Sequence, residues 1–181
     1  TAVGFAALDA NTTANNNTAV GDNALGVNTT GAGNTAMGPD SLAANTTAAN
    51  NTAIGLDTLK ANTTGTENTA VGSGALAATV SGGYNVAVGG SALAANLAAD
   101  NTAVGYVALG ANTTGTNNIA VGNNALDSNT TGSGHTILGK QAGHNITTGT
   151  DNTAVGYLSL SETTTGSNNT AVGKQSLVEN T

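Results

Sequence analysis

The sequence predicts an all-β protein, a parallel β-solenoid of about ten 17-residue coils. The first observation is a phrase, Thr-Ala-Val-Gly or a close variant, that recurs along the whole chain. Its glycine stands at Gly4, Gly21, Gly38, Gly55, Gly72, Gly89, Gly105, Gly122, Gly139, Gly156 and Gly173. Nine of the ten intervals between these glycines are 17 residues and one is 16. The second observation is that Asn, Val and Leu keep fixed distances from the glycine, which a disordered chain has no reason to do.

The period indicates that each repeat is one coil of a stack. Helical repeats need about 33 residues or more, and the Gly and Asn-Thr-Thr sequences leave no segment long enough for a helix. A unit this short cannot bury its apolar face alone, so neighbouring coils must supply one continuous core. We therefore expect a single solenoid over residues 1–181. We also expect it to be a segment of a longer fibre chain, because neither end shows an atypical capping repeat.

The four residues before each glycine predict a short strand. Alternate residues of a strand face opposite sides, so the Thr and Val positions share one face and the Asn and Ala positions share the other. The Asn position predicts a ladder of amides stacked along the axis. This first Asn column consists of Asn17, Asn34, Asn51, Asn68, Asn85, Asn101, Asn118, Asn152 and Asn169, with His135 as the exception.

The residue directly before the glycine forms an apolar column, which we name the stripe. It consists of Val3, Val20, Met37, Ile54, Val71, Val88, Val104, Val121, Leu138, Val155 and Val172. If the Ala position points into the coil, the stripe points outward along the whole rod, which a soluble monomer should not expose. Contact with the stripes of identical chains would cover it, and closed cyclic symmetry is the usual arrangement. We expect a homotrimer; the alternative is a monomer with Val inside and Ala outside.

The residues after the glycine predict a second short strand in each coil. Ala or Ser commonly stands three residues after the glycine and Leu four after, and only Gly143 interrupts the Leu column. This strand leads into Asn-Thr-Thr-Gly turns such as residues 28–31 and 62–65, where Asn bonds to its own backbone. Two strands and two turns describe a flattened coil. With coils about 4.8 Å apart, ten of them give a rod of roughly 50 Å.

Composition argues against several classes of partner. The formal net charge is −7, and the only cations are Lys60, Lys140 and Lys174. Nucleic acid and anionic membranes are therefore not expected partners, because neither phosphate neutralisation nor a polybasic contact is available. The sequence contains no run of about 18 apolar residues, so it predicts no membrane-spanning helix. Cysteine is absent, so disulfides and thiolate metal sites do not contribute.

The sequence predicts no catalytic, cofactor or metal site. Serines lack a neighbouring His, and the acidic residues are scattered rather than paired. His135 and His144 lie in one coil, and three copies of a His around a trimer axis could bind a transition metal. His135 is better explained as a polar replacement in the first Asn column, since no second ligand column accompanies it. The Asp residues do not keep the phase of calcium-binding repeats.

Three phrases carry a family resemblance: Asn17-Thr-Ala-Val-Gly21, Asn51-Thr-Ala-Ile-Gly55 and Asn85-Val-Ala-Val-Gly89. They resemble the head repeats of YadA-type trimeric autotransporter adhesins, and more closely the related repeats of bacteriophage tail fibre proteins. The resemblance covers essentially the whole chain. It implies a left-handed parallel β-roll, three of which associate, on a virion fibre or an extracellular cell surface. This repeat is longer than the typical adhesin-head repeat, and no heptad stalk or membrane-anchor barrel is present in these residues.

Three functions remain open at this point. The leading one is a structural and adhesive fibre segment, a rigid rod whose partner is itself and which positions a receptor-binding tip for host attachment. The second is ice binding through paired Thr columns such as Thr29-Thr30, Thr63-Thr64 and Thr113-Thr114, although these threonines fall in predicted turns. The third is a self-assembling extracellular filament, favoured by unpaired strand edges at the ends of a solenoid.

Overall fold

The computed structural model describes residues 1–179 and shows a parallel β-solenoid. One short strand per coil contributes to a single sheet whose order follows the chain. The eleven strands in these residues, β1 to β11, are Ala2–Val3, Thr18–Val20, Thr35–Met37, Thr52–Ile54, Thr69–Val71, Val86–Val88, Thr102–Val104, Ile119–Val121, Thr136–Leu138, Thr153–Val155 and Thr170–Val172. All pairings are parallel, and equivalent positions of successive coils face each other, as Ala19 faces Ala36.

Small and branched apolar side chains fill the interior of the coil. The central residue of each three-residue strand, Ala in nearly every coil, is buried, and so is the Leu four residues after most of the glycines, although Leu177 of the last coil is exposed. The fully buried Leu side chains are Leu25, Leu42, Leu59, Leu76, Leu93, Leu109, Leu126 and Leu160. Complete burial of one such side chain stabilises the fold by about 1.5–3 kcal/mol. Stacked Leu and Ala columns thus form one continuous core along the rod.

The predicted second strand is wrong, because the residues after each glycine form consecutive turns. In the second coil, the Ala24 N–H donates to the Gly21 carbonyl at 3.4 Å and the Gly26 N–H donates to the Asn23 carbonyl at 3.3 Å. Asn23 and Leu25 have positive φ angles of 55° and 51°. The physical reason is burial: Ala24 and Leu25 are adjacent and both fully buried, whereas adjacent residues of a strand face opposite sides.

These turns still hydrogen-bond to the neighbouring coils. The Asn23 N–H donates to the Phe5 carbonyl of the preceding coil at 2.9 Å, and the Leu25 N–H donates to the Ser41 carbonyl of the following coil at 3.1 Å. A left-handed backbone is unusual for Leu. It is retained here because it turns the Leu side chain into the core while its N–H remains paired.

The repeated glycine allows neighbouring coils to approach closely. All eleven glycines have φ between 125° and 142°, a region that side chains disfavour. A Cβ added to Gly72 would lie 2.6 Å from the carbonyl carbon and oxygen of Gly89 in the next coil. Glycine is therefore required for two reasons: its positive φ, and the lack of room for a Cβ against the next coil.

The ninth coil replaces the usual core residues as a set. Gly143 takes the place of Leu, while Ile137 takes the place of the strand Ala and Ile146 takes the place of an Asn. A Cβ on Gly143 would lie 3.1 Å from Cδ1 of Ile146 and 3.3 Å from Cδ1 of Ile137. The two isoleucines therefore fill the volume that the missing Leu leaves.

The coil that begins with β6 is one residue shorter than the others, and the loss falls in the turn before Asn101. The ladders on both sides of the turn continue across it. The Asn101 N–H donates to Asn85 Oδ1 at 3.0 Å, and Asn112 Nδ2 donates to Asn96 Oδ1 at 2.7 Å. Turn length at this corner can therefore change without breaking the stack.

Candidate association surface

The outward face of the sheet is built from the first and third residues of each strand. In β4, Thr52 is half-buried, Ala53 is buried and Ile54 is exposed, and the other three-residue strands follow a similar alternation. The Ala position therefore points into the coil and the stripe points out. Exposure within the stripe is 36% for Val104 and 42% for Met37. The structure thus brings the eleven stripe residues together as one line on the surface.

This face carries no ionisable side chain. In the ten three-residue strands the first position is Thr except for Val86 and Ile119, and the third is always a stripe residue. Strands β6 and β8 are therefore apolar at both outward positions, and Val86 and Ile119 are 37% and 42% exposed. A surface that covers this face would desolvate no charge, and only the Thr hydroxyls would need new hydrogen-bond partners.

The ion pairs of the neighbouring turns lie outside this face. Lys60 Nζ contacts Asp57 Oδ1 at 2.8 Å and Asp40 Oδ2 at 3.1 Å, so one cation bridges the carboxylates of adjacent coils. Hydrogen bonds from Asn23 and from Lys60 hold the pKa of Asp40 below its usual value. These groups are solvent-exposed and contribute little to stability. Their effect is to relieve the repulsion that stacking places between two carboxylates.

The first Asn column forms a continuous ladder of hydrogen bonds. The Asn34 N–H donates to Asn17 Oδ1 at 2.8 Å, while Asn34 Nδ2 donates to the Ala48 carbonyl at 2.8 Å. The same backbone-to-amide bond recurs at 2.9–3.0 Å along the column. These amides are mostly buried, so each one satisfies backbone groups that water cannot reach. The column therefore has a structural role on the inside of the coil.

A second Asn column runs along the opposite side of the turn, and sequence reasoning missed it. Asn45 Nδ2 donates to Asn28 Oδ1 at 2.9 Å, and Asn62 Nδ2 donates to Asn45 Oδ1 at 3.2 Å. Its members are Asn11, Asn28, Asn45, Asn62, Asn96, Asn112 and Asn129. The signal was present, because these residues keep the same period as the first column. Their interpretation as turn residues was correct but incomplete, since Asn62 also accepts from the Gly65 N–H of its own turn at 3.1 Å.

His135 reproduces the hydrogen bonds of an asparagine in the first Asn column. Its N–H donates to Asn118 Oδ1 at 3.0 Å, its Nδ1 accepts from the Asn152 N–H at 3.3 Å, and its Nε2 lies 2.8 Å from the Gly149 carbonyl. These partners require a neutral ring with the proton on Nε2. Burial lowers the pKa of His135. His135 therefore acts as a polar replacement in the first Asn column, and both of its ring nitrogens already have hydrogen-bond partners.

The paired Thr columns lie in bends, as the sequence indicated. The first hydroxyl of most pairs donates to the next coil: Thr29 Oγ1 donates to the Thr46 carbonyl at 3.1 Å, and Thr113 Oγ1 donates to the Thr130 carbonyl at 2.8 Å. The second residue, such as Thr30, is exposed. These pairs therefore do not form a flat strand surface. A regular column of strand Thr residues lies instead at the first position of most strands.

Other chemistry-bearing groups are few in residues 1–179. His144 Nδ1 lies 2.5 Å from Asp127 Oδ1, and the described residues contain no group of three His, Cys, Asp or Glu side chains that could hold a metal ion. No cavity is found in this part of the chain. None of its residues form a helix able to cross a membrane. Within the described residues, the uncharged strand face is therefore the best candidate for a binding surface.

No family model, no curated protein and no solved structure matches the chain.

Proposed function

We propose that this chain is a structural segment of an extracellular fibre, in which three copies associate along the stripe and form a rigid rod. The observation that carries the proposal is the unbroken, uncharged apolar line along all eleven strands. In this arrangement the coils wind left-handed, as in the adhesin repeats that the sequence resembles. The rod holds a receptor-binding tip, formed outside these residues, away from a virion or cell surface.

The repeat of the stripe favours an identical chain as its partner. The sheet places one stripe residue per coil, about every 4.8 Å along the rod. A partner can contact every member of such a rigid row only if it has the same axial spacing. A second copy has that spacing by construction, and closed association of three copies leaves no copy with an uncovered stripe.

The first experiment is the mass of the purified chain in solution, measured by light scattering together with sedimentation equilibrium. We expect three times the chain mass of 17.2 kDa. Val88→Lys with Val104→Lys places two charges in the stripe and should give folded monomers, because an unpaired buried charge is strongly unfavourable. Val80→Lys is the matched control, since Val80 is 45% exposed but lies in a turn away from the strands. A wild-type mass of 17.2 kDa would overturn the proposal.

Ice binding is a second candidate, and the strand face favours it rather than the paired Thr columns. Thr and Val side chains share the outward face of the sheet, with Thr at the first strand position of most coils. Such a face presents hydroxyl and methyl groups at regular spacing in two directions. Thermal hysteresis of a monomeric chain at millimolar concentration would support this function. A trimer would bury the same face, so the mass measurement also separates the two candidates.

An open filament is the third candidate, because copies that associate along the stripe with a constant stagger do not form a closed ring and can add further copies. Growth of the mass with concentration beyond three chains would favour this filament.

A further inference from the structure

The stripe is too uniform to fix how far one copy slides along another. Ten of its eleven members are Val, Ile or Leu, and they recur once per coil. A displacement of one coil would therefore bring each stripe residue against an equivalent one, as in any strand pattern of weakly specified register. If the proposed association is correct, some other row must distinguish the aligned arrangement from a staggered one.

The stripe is also narrow. Two outward positions of a strand are about 7 Å apart, and eleven strands extend about 50 Å, so the face covers roughly 350 Å². A stable interface buries about 800 Å² on each partner. Contact must therefore extend onto the columns beside the strands.

One of those columns contains a row of exposed large apolar residues. We name as the flank row the residues that directly follow the repeated glycines: Phe5, Asp22, Pro39, Leu56, Ser73, Gly90, Tyr106, Asn123, Lys140, Tyr157 and Lys174. Each lies two residues after a stripe residue. Four of them, Phe5, Leu56, Tyr106 and Tyr157, are large and apolar, with exposures of 84%, 48%, 59% and 41%.

These four residues recur every third coil. They are separated by 51, 50 and 51 residues, and the interval of 50 contains the coil that is one residue short. Their spacing along the rod is therefore about 14 Å. The two coils between successive members carry polar, charged or small residues in this row, among them Asp22, Ser73 and Lys140.

The structure shows one of these rings held against the rod. A Cβ placed on Gly90 would lie 3.5 Å from Cδ2 of Tyr106, so the ring covers the glycine of the preceding coil. An aromatic side chain that is already positioned loses little conformational entropy when a partner covers it.

We infer that Phe5, Leu56, Tyr106 and Tyr157 are the anchors that set the axial register between copies of this chain, an inference that rests on the proposed trimer. In a trimer with cyclic symmetry, a row of residues meets its own copies only next to the three-fold axis, so the flank row lies beside that axis in the proposed trimer. Displacement by one or two coils then moves each anchor opposite polar or small flank residues. Displacement by three coils restores the match but leaves three of the eleven coils without a partner. Aligned copies therefore bury the most apolar surface, and alignment is what closed cyclic symmetry requires, whereas a constant stagger produces an open filament.

The test replaces all four anchors by alanine and measures both affinity and alignment. Thr30→Cys provides an exposed attachment point for a spin label, and the chain has no other cysteine. In the otherwise wild-type trimer we expect one narrow label-to-label distance. In the Phe5→Ala, Leu56→Ala, Tyr106→Ala and Tyr157→Ala variant we expect further, longer distances and a dissociation constant raised at least about tenfold.

Tyr84→Ala is the matched control, because Tyr84 is also 59% exposed but lies in the turn before β6. This control should keep the wild-type mass and the single distance. A four-alanine variant that keeps them as well would overturn the role of the anchors while leaving the trimer intact. A monomeric wild-type chain would overturn the proposed function itself, so the two failures are distinguishable.

Discussion

His135 shows how a single residue can make the stability of the rod depend on pH. The ring is 1% exposed and accepts a hydrogen bond on Nδ1 from the Asn152 N–H. Protonation would place a second donor against that N–H and a charge in the interior. The pKa of His135 therefore lies below its ordinary value of 6.5, with burial as the main cause.

The first prediction is that His135→Asn removes this pH dependence. The unfolded chain takes up a proton below about pH 6.5, and the folded chain resists it, so wild-type stability is full above pH 6.5 and declines as pH falls toward the lowered pKa. The decline attributable to this group is at most about 1.4 kcal/mol per pH unit. Denaturant unfolding of both proteins between pH 8 and pH 5 checks it. A stability difference that stays constant over this range would contradict the prediction.

At the scale of the coil, the sequence predicted one half well and the other half badly. The phrase before each glycine alternates in a simple way, so the strand, its inward Ala and its first Asn column follow from period and alternation alone. The residues after the glycine do not alternate. Ala24 and Leu25 are consecutive core residues, a pattern that fits turns with left-handed positions and contradicts a strand.

The second Asn column was missed for a related reason. A turn residue that bonds to its own backbone satisfies the local pattern, so nothing in one repeat demands a further partner. Stacking supplies that partner, because Asn28 and Asn45 occupy equivalent places one coil apart. Interactions between repeats are visible only when identical positions are compared across coils. Likewise, the residues of a single coil do not indicate how many copies of the chain associate.

The second prediction concerns the rearranged core of the ninth coil. Gly143→Leu restores the common residue, but the new side chain would meet Ile137 and Ile146, so we expect a loss of about 1–3 kcal/mol. Ile137→Ala with Ile146→Asn removes the obstruction and, without the Leu, should cost about 2–5 kcal/mol through the cavity it leaves. The three changes together should return stability close to wild type.

Denaturant unfolding of these variants forms a thermodynamic cycle in which the coupling is large and favourable. The backbone at Gly143 is already suited to Leu, since its φ of 59° resembles the 47° to 54° of the Leu residues in the other coils. The stability lost in the triple variant could equal the sum of the losses in Gly143→Leu and in the double variant Ile137→Ala with Ile146→Asn. That result would mean that the isoleucines do not compensate for the missing Leu.

At the scale of the whole molecule, the stability lost through a substitution depends on whether the next coil packs against the substituted residue. Gly72 and Gly173 have the same φ of 125°. A Cβ on Gly72 meets the backbone of Gly89 at 2.6 Å, whereas the nearest contact of a Cβ on Gly173 is Ser176 at 3.9 Å. The two glycines therefore share backbone strain and differ only in crowding.

The third prediction is that Gly173→Ala is tolerated far better than Gly72→Ala. Strain alone costs roughly 1–3 kcal/mol, and overpacking against the next coil adds about 1–3 kcal/mol or more at Gly72. Thermal unfolding followed by circular dichroism should show a much larger fall in Tm for Gly72→Ala. Equal falls would mean that the backbone angle, rather than close stacking, explains the glycine column.

The shortened turn before Asn101 has a consequence for how such a rod can vary. The two Asn ladders and the sheet continue past this corner although a residue is missing. Leu97 and Asp100 still donate to the Thr113 and Gly83 carbonyls of the neighbouring coils, so the stack accommodates a change of turn length here. Sequence there is free to lengthen as well as to shorten, with little entropic penalty for a longer loop. A solenoid of this kind can therefore acquire a side branch at any chosen height, and its evolution, or its use as a display scaffold, can place a new binding loop at steps of one coil.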